Sequence, residues 1–291
     1  GGASKVQMLF KLTRQRSDGP LAEWMVLRME PSESVVETSR LREFQLMNAF
    51  KGLIPVPSVH WIDTEGEFLP YPAMICGFSS GVTKPSSGTS RVSGMGINFG
   101  VDQRASIGQQ FIDHLSIVHT QDFRTMDLSA FEIPLAGVNA AEWQLNWFER
   151  VWEEDCGQAV PLMQLAAHWM RSHLPVTDRL SVVHADFRSG NFLYTEEDGR
   201  ISAWLDWELG HIGDRHEDLA WIANSAFGHL AEDGKTFLVS GLMSLPELFA
   251  AYEKASGLPV IPETFKFYQI FNAYKCVVID AATCFRVARG G

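Results

Sequence analysis

The chain has 291 residues, of which 46% are hydrophobic and 20% are charged, and its formal net charge is −11. This length allows a large buried core, and this composition excludes disordered, fibrous and collagen-like chains. The 35 acidic residues outnumber the 24 basic ones, which argues against nucleic acid or an anionic membrane as a partner, because both bind basic surfaces. We therefore expect a globular protein with no nucleic-acid partner and no membrane partner.

The spacing of the cysteines and the absence of long apolar runs predict a cytoplasmic location. The cysteines at positions 76, 156, 276 and 284 have neither CxxC nor zinc-ligand spacing, so free thiols in a reducing cytoplasm are favoured over two disulfides. The sequence has no run of 18 apolar residues and shows no signal peptide. Because it opens abruptly at Gly1, we also expect natural N-terminal residues to be missing.

The first part of the chain is typical of strands around one helix. Residues 6–12 and 23–29 are apolar-rich runs on either side of a polar turn, which predicts a β-hairpin. Ser34 begins a Ser-Val-Val-Glu segment that resembles a capping box and predicts the start of a helix. Residues 58–62 and 72–78 follow as two further strands, so a small sheet with one helix is expected here.

Helical patterns dominate after a segment rich in Gly and Ser at residues 79–100, which we expect to be a mobile loop. Helices are predicted at residues 102–120, 140–154, 161–173, 214–226, 245–255 and 265–287, and short strands at 180–183, 192–194 and 201–205. The expected fold is therefore α+β with two lobes. A small antiparallel-sheet N-lobe would occupy residues 1–78, and a larger, mainly helical C-lobe residues 79–291.

The segment from Val182 to Leu193 carries the most informative polar residues. It contains His184-x-Asp186, and four residues separate Asp186 from Asn191. This spacing is typical of the catalytic loop of phosphoryl-transfer enzymes, in which an Asp accepts the proton of the incoming hydroxyl and an Asn supplies an oxygen ligand to Mg²⁺. The alternative is a turn in which both side chains cap backbone groups.

A further acidic residue follows the apolar run at residues 201–205. Asp206 lies 15 positions after Asn191, where a kinase-like fold needs a metal-binding Asp at a strand end. A triphosphate adds about four negative charges to an already acidic chain, so its binding needs a metal ion and a basic residue. The alternative is an Asp that only caps the turn after the strand.

Three motifs together resemble the aminoglycoside phosphotransferase / choline kinase family. They are His-Ala-Asp-Phe-Arg-Ser-Gly-Asn at 184–191, Leu-Asp-Trp-Glu at 205–208 and Asp-Leu-Ala-Trp at 218–221. The branch that the chain most resembles contains the phosphotransferase-like domains associated with acyl-CoA dehydrogenases. The resemblance covers nearly the whole chain and implies a two-lobed, protein-kinase-like fold.

The resemblance also implies a role for individual residues. Asp186 would be the catalytic base, and Asn191 and Asp206 would hold Mg²⁺. Arg28 would contact the α- and β-phosphates and would be oriented by Glu43; it replaces the Lys of the wider superfamily with a planar fork of donors. The remaining nucleotide contacts would come from the backbone of Gly2, Ala3 and Ser4 at the phosphates and of Met74, Ile75 and Cys76 at the adenine.

Structural roles are the alternatives for several residues. Arg28 and Glu43 could form an ion pair without a ligand, and residues 1–4 could be a frayed terminus. Asp218 is expected to support the catalytic loop through a structural network. The aromatic face of the helix at 140–154 is expected to lie in the core, with the wall of an acceptor pocket as the alternative.

The predicted function is transfer of the γ-phosphoryl group from ATP, or GTP, to a hydroxyl of a small molecule, with Mg²⁺ as cofactor. The acceptor stays open among aminoglycosides, choline-like alcohols, sugars and hydroxyacyl compounds, and a monomer or homodimer is expected. The alternative is a catalytically silent nucleotide- or metabolite-binding module, which Arg28 and the incomplete nucleotide loop favour. A protein kinase is disfavoured because Asp206-Trp-Glu stands where Asp-Phe-Gly would be.

Overall fold

The computed structural model describes residues 6–17, 19–30, 36–86, 95–156 and 158–289. Its first two strands, β1 (Val6–Arg16) and β2 (Gly19–Met29), form the predicted hairpin and pair antiparallel along their whole length. β3 (Val59–Asp63) and β4 (Ala73–Gly77) complete a four-stranded sheet in the order β1-β2-β4-β3. All its pairings are antiparallel, as predicted.

The first helix, α1 (Arg40–Phe50), begins later than predicted. Its N-cap is Ser39, whose side-chain oxygen accepts a hydrogen bond from the backbone N–H of Arg42 at 3.4 Å. The predicted start at Ser34 is wrong, because residues 36–39 are not helical; Ser34 itself lies outside the described residues. The Ser39 cap fixes the observed start, and the buried ion pair between Arg40 and Glu43 lies in the first helical turn.

The rest of the chain is mainly helical. The helices are α2 (Gly100–Thr120), α3 (Asn139–Val151), α4 (Pro161–Ser172), α5 (His216–Ile222), α6 (Leu245–Ser256) and α7 (Pro262–Ala288). The strands are β5 (Leu180–Val183), β6 (Phe192–Thr195), β7 (Arg200–Trp204), β8 (His211–Asp214), β9 (His229–Leu230) and β10 (Phe237–Leu238). They form three two-stranded antiparallel sheets that pair β5 with β8, β6 with β7 and β9 with β10.

The predicted helix at 214–226 is shorter than expected. Asp214 is the last residue of strand β8, where it pairs with Leu180 of β5. α5 begins only at His216 and ends at Ile222. Pairing with strand β5, whose residues lie about 30 positions earlier in the sequence, therefore decides the conformation of residues 211–214, and no local pattern carries that information.

The core lies directly beneath the loops that follow β5 and β7. Phe187 stacks on Trp204 with ring centroids 3.7 Å apart, and Phe111 of α2 meets both rings. All three side chains are almost completely buried. The two loops therefore rest on a dense aromatic layer, which restricts their backbone positions.

The expected fold class is confirmed, since a small antiparallel sheet with one helix precedes a larger, mainly helical region. The boundary between residues 78 and 79 stays a prediction. Residues 87–94 of the expected mobile loop lie outside the described residues. Val82, in the same predicted loop, forms backbone hydrogen bonds of 2.9 and 3.0 Å with Tyr194.

All four cysteines are free thiols. Among the helices of the described ranges, none combines the length and the apolar character that crossing a bilayer requires.

Acid sensitivity is expected at His114, which packs against the aromatic layer. Its Nδ1 accepts a hydrogen bond from the indole N–H of Trp204 at 3.0 Å, and burial lowers the pKa of His114 to about 4. The unfolded chain then binds more protons below pH 6.5, so folding stability falls as the pH falls from 6.5 towards 4. In His114→Gln the acceptor remains and the titration is lost. The free energy of unfolding of wild type should fall between pH 7 and pH 5. In His114→Gln we expect this fall to be smaller by about 1 to 2 kcal/mol, as measured by urea unfolding at the two pH values.

The matched control is His168→Gln, because His168 is an exposed residue of α4. This variant should keep the wild-type dependence of the free energy of unfolding on pH. Equal slopes for wild type and His114→Gln would contradict the assignment of the titration to His114.

Candidate active site

One cavity of about 630 Å³ lies between the four-stranded sheet and the loops after β5 and β7. Arg28 and Cys76 line it from the sheet, and Asp186, Asn191 and Asp206 line it from the two loops. The motifs at 184–191 and 205–208 therefore meet Arg28 of the sheet at one cavity.

The loop between β5 and β6 reaches this cavity through a left-handed turn. Ala185 has φ +65° and Gly190 has φ +95°. A non-glycine residue in the left-handed region costs about 1 to 3 kcal/mol, and such positions cluster at functional sites, where the surrounding structure holds them. The turn at Ala185 carries the chain out of buried strand β5 and brings Asp186 to the cavity.

Three neighbouring side chains hold the carboxylate of Asp186. Its Oδ1 accepts hydrogen bonds from Nε of Arg188 at 2.8 Å and from the indole N–H of Trp221 at 2.7 Å. The amide nitrogen of Asn191 donates to Oδ2 and, at 3.0 Å, to the backbone carbonyl of Asp186. The contact between Asp186 and Asn191 explains their spacing, because it closes the loop on itself. It also leaves the amide oxygen of Asn191 as its metal-binding atom.

Asp218 supports this loop from below and does not line the cavity. Its carboxylate accepts the backbone N–H groups of His184 and Ala185, both at 2.8 Å, and lies 3.1 Å from Nε2 of His119. Burial alone would raise the pKa of Asp218, but the hydrogen bonds from His119 and from the backbone N–H of His184 outweigh this effect and lower the pKa. These contacts are those of the structural network expected for Asp218.

Asp206 lies two residues after the end of β7, on the other side of the cavity. It has φ +59°, so it too has a left-handed backbone. The backbone N–H of Leu205 donates to the carbonyl of Asn191 at 2.8 Å, and Nε2 of His184 lies 3.0 Å from the carbonyl of Leu205. The two loops are thus joined by hydrogen bonds, so that Asn191 and Asp206 face the same cavity.

Arg28 links the sheet to Asp206. Its Nη2 lies 2.6 Å from Oε1 of Glu43 and 3.2 Å from Oδ1 of Asp206, and Arg28 and Glu43 are buried. Burial alone would lower the pKa of Arg28, but the field of Glu43, Asp206 and other neighbours outweighs it and raises the pKa. The predicted ion pair of Arg28 with Glu43 is present, and the phosphate contact of Arg28 stays a prediction.

The predicted metal ligands are an amide oxygen and a carboxylate on one cavity wall. Within the described ranges, no group of three or more His, Cys, Asp or Glu side chains is arranged to hold a metal ion. Mg²⁺ does not need such a group, because it prefers hard oxygen ligands, keeps several waters and takes one or two protein carboxylates together with phosphate oxygens. Asn191 and Asp206 therefore fit Mg²⁺ in the presence of a nucleotide.

The predicted nucleotide contacts are only partly found at the cavity. Cys76 lines it, together with the residues that follow at positions 77–79, whereas Met74 belongs to the buried core and neither Met74 nor Ile75 lines the cavity. Burial raises the pKa of Cys76 to about 11, so its thiol is neutral. Gly2, Ala3 and Ser4 lie outside the described residues.

Four side chains at or beside this site were not assigned a role from the sequence, namely Arg40, Arg188, Glu208 and Trp221. Arg40 forms an ion pair with Glu43 and lies 3.2 Å from Glu208, which lines the cavity. The spacing of Arg40 and Glu43, three residues apart in one helix, could have indicated their pairing. Arg188 and Trp221 lie within the motifs at 184–191 and 218–221, but nothing in their spacing indicates that both donate to Asp186.

The aromatic face of α3 is divided between the core and a second cavity. Phe148 is buried and meets Phe271 of α7 edge to face, as expected for a core residue. Trp143 and Trp147 line a cavity of about 720 Å³ that also reaches Glu208. Phe148 therefore packs in the core, as expected. For Trp143 and Trp147, a place in the wall of an acceptor pocket stays the alternative role.

Comparison with known protein families supports the interpretation of this site. The family described as "Phosphotransferase enzyme family" matches residues 12–257, which is most of the chain. The chain belongs to this phosphotransferase family. The resemblance drawn from the three sequence motifs is thereby confirmed.

Two curated relatives of this phosphotransferase domain are named as acyl-CoA dehydrogenases. Mouse "Acyl-CoA dehydrogenase family member 10" is 25% identical over 266 residues, which cover 88% of this chain and 24% of that protein. "Probable acyl-CoA dehydrogenase IBR3" of Arabidopsis thaliana is 26% identical over 274 residues, covering 87% of this chain and 32% of that protein. The chain therefore spans about a quarter to a third of the length of these relatives.

Solved structures share the fold. A "putative aminoglycoside phosphotransferase" from Ralstonia eutropha superposes with a TM-score of 0.69 at 21% identity, covering 97% of this chain and 85% of that one. Choline kinase LicA from Streptococcus pneumoniae gives a TM-score of 0.59 at 14% identity, covering 97% and 86%. LicA has also been solved in complex with AMP. At these identities the likeness establishes the kinase-like fold of the phosphotransferase domain.

Proposed function

We propose that this phosphotransferase domain transfers the γ-phosphoryl group of ATP to a hydroxyl of a small molecule in the presence of Mg²⁺. The observation that carries the proposal is the meeting of Arg28, Asp186, Asn191 and Asp206 at one cavity. Family membership and the AMP complex of the choline kinase support the choice of a nucleotide as donor. GTP is the alternative donor.

Asp186 is the proposed base. The acceptor hydroxyl donates its proton to the Asp186 carboxylate as its oxygen attacks the γ-phosphorus, and the bond to the bridging β-phosphate oxygen breaks to release ADP. The hydrogen bonds from Arg188 and Trp221 hold the carboxylate in place for this transfer. Catalysis of phosphoryl transfer comes almost entirely from positioning and electrostatic stabilisation, and a base held in place in this way adds to both.

Charge neutralisation is assigned to Arg28 and to the metal site. Asn191 and Asp206 would hold Mg²⁺, which supplies positive charge to the β- and γ-phosphate oxygens when it is bound. Arg28 stays charged and is held at the cavity by Glu43, so it can donate to phosphate oxygens without reorganising. Donors that are aimed in advance at developing charge are the most effective kind.

A hydroxyacyl compound is the proposed acceptor class, and an amino alcohol or a sugar is the alternative. The names of the curated relatives support the first class, because acyl-CoA dehydrogenases act on acyl groups. Arg188 adds a cationic group beside Asp186 at the cavity, which suits an anionic acceptor. A cytoplasmic location and a monomeric or homodimeric state are also proposed.

The test is ADP release from Mg·ATP across an acceptor panel of hydroxy acids and their CoA thioesters, choline, sugars and aminoglycosides. Turnover with a hydroxyacyl member is the expected result. Turnover with choline or a sugar alone would favour the second acceptor class. Calorimetric binding of Mg·ATP without turnover on any acceptor would favour the silent binding module and overturn the enzymatic assignment.

A further inference from the structure

Lys275 of α7 is a buried lysine to which the proposed reaction gives no role. Its side chain is 1% exposed. Burying an ammonium group costs several kcal/mol unless polar partners compensate for the lost water, and an apolar side chain of similar size often packs better. The partners of Lys275 therefore indicate what its charge contributes.

Those partners surround the catalytic loop. Nζ of Lys275 donates to the backbone carbonyl of Ala185 at 2.9 Å and lies 3.2 Å from Oε1 of Glu217. It also lies 4.6 Å from the ring centroid of Trp221, within the range of a cation–π contact. The carboxylate of Glu217 compensates the charge, whereas the other two contacts lie next to Asp186.

The contact with Ala185 holds the peptide group from which Asp186 extends. The Ala185 carbonyl belongs to the peptide bond between Ala185 and Asp186, and the N–H of the same bond donates to Nδ1 of His184 at 3.3 Å. Ala185 is 2% exposed and left-handed, so its buried carbonyl needs a partner inside the protein. Lys275 and His184 thus hold opposite edges of one peptide plane.

The contact with Trp221 reaches Asp186 by a second route. The indole N–H of Trp221 donates to Oδ1 of Asp186 at 2.7 Å, and the ammonium group of Lys275 lies against the same indole ring. Lys275 therefore contacts two of the groups that orient Asp186, the Ala185 carbonyl through the backbone and the Trp221 ring through the side chain.

We propose that Lys275 is a positioning residue that sets the orientation of Asp186 through the Ala185 carbonyl and the Trp221 ring. The inference rests on the proposed phosphoryl transfer. A purely structural lysine would only neutralise Glu217, so the two roles differ in what Glu217→Gln does. This substitution removes the charge that Lys275 neutralises and leaves both contacts towards Asp186.

The experiment compares Lys275→Met, Glu217→Gln and the double variant Lys275→Met/Glu217→Gln, with Lys266→Met on the exposed face of α7 as control. Lys275→Met should lower kcat about tenfold to 100-fold, with the KM for ATP within about threefold of wild type, because misplacing a reacting group mainly affects the chemical step. Glu217→Gln and Lys266→Met should keep kcat within about twofold.

The double variant separates positioning from stability. Lys275→Met leaves the buried Glu217 without its ammonium partner, with Nε2 of His211 3.2 Å from its Oε2; this loss lowers Tm, and adding Glu217→Gln should restore part of that Tm by removing the buried carboxylate. The kcat of the double variant should stay as low as that of Lys275→Met. Recovery of kcat together with Tm would overturn the proposal.

A readout without turnover keeps this test separate from the proposed function. The indole N–H signal of Trp221 in a ¹H–¹⁵N spectrum, assigned with Trp221→Phe, reports the hydrogen bond to Asp186. It should shift in Lys275→Met and in the double variant but not in Lys266→Met. If wild type shows no turnover, the proposed function fails, and an unshifted signal in Lys275→Met would then overturn the positioning role independently.

Discussion

Asp186→Asn is expected to lower kcat for phosphoryl transfer by about 10²- to 10⁴-fold, the usual contribution of a positioned base. Asparagine keeps the shape of the side chain and an oxygen that can accept from Arg188 and Trp221, but it cannot accept the hydroxyl proton, and its amide nitrogen replaces the oxygen that accepts from Asn191. The hydrogen bond from Asn191 to the backbone carbonyl of residue 186 remains, so the loop should stay closed, and Tm should fall by roughly 2 to 8 °C, as expected for one lost hydrogen bond worth about 1 to 2 kcal/mol in a chain of this size. ADP release and thermal melting measure the two effects.

The matched control is Asp127→Asn, because Asp127 is exposed and does not line the cavity. Its kcat should equal that of wild type. Near-normal turnover in the folded Asp186→Asn variant would remove Asp186 from the reaction and leave the phosphotransferase without its proposed base.

The second large effect is expected from Asp206→Asn on nucleotide binding. A ligand at 100 times its Kd stabilises the native state by about 2.7 kcal/mol, which raises the Tm of a chain of this size by roughly 5 to 10 °C. Wild type should show such a rise with Mg·ATP and a smaller one with ATP alone. Asparagine tolerates the left-handed backbone of position 206, so the substitution removes the carboxylate and preserves the turn.

The difference between Mg·ATP and ATP alone should disappear in Asp206→Asn, while Asp127→Asn should keep it. Melting curves with ATP, GTP and ADP, each with and without Mg²⁺, supply the measurement and also rank the nucleotides. A metal-dependent rise that is as large in Asp206→Asn as in wild type would exclude Asp206 as a metal ligand.

Much of the fold was predictable because its signals are local. The apolar runs around a polar turn predicted the β1–β2 hairpin, and apolar spacing of three and four residues predicted α2, α4, α6 and α7 close to their observed bounds. The sequence misplaced elements that depend on distant partners. α1 begins at Arg40, whose buried guanidinium contacts Glu208, 168 positions away, and residues 211–214 form a strand because β5 pairs with them.

The sequence indicated which side chains carry the chemistry of the candidate site. The spacing of Asp186, Asn191 and Asp206 is a local pattern, and the requirements of phosphate and Mg²⁺ chemistry indicated which residue types to seek. The nucleotide segment stays a prediction at Met74 and Ile75, since of the three residues at positions 74–76 only Cys76 lines the cavity. Met74 and Cys76 are two residues apart and lie on the same face of β4, so the packing of the surrounding elements, and not the alternation of side chains, decides which of them reaches the cavity.

The sequence by itself determined the class of fold, the acidic balance and the residues able to accept a proton, bind a metal and hold a phosphate. The tertiary structure alone decided how these residues meet. Arg28 contacts Asp206 across 178 positions of sequence, and Lys275 contacts Ala185 across 90. Such contacts follow from the packing of whole elements on one core, in which burial makes each charged group require a specific partner, and no spacing within the chain encodes them.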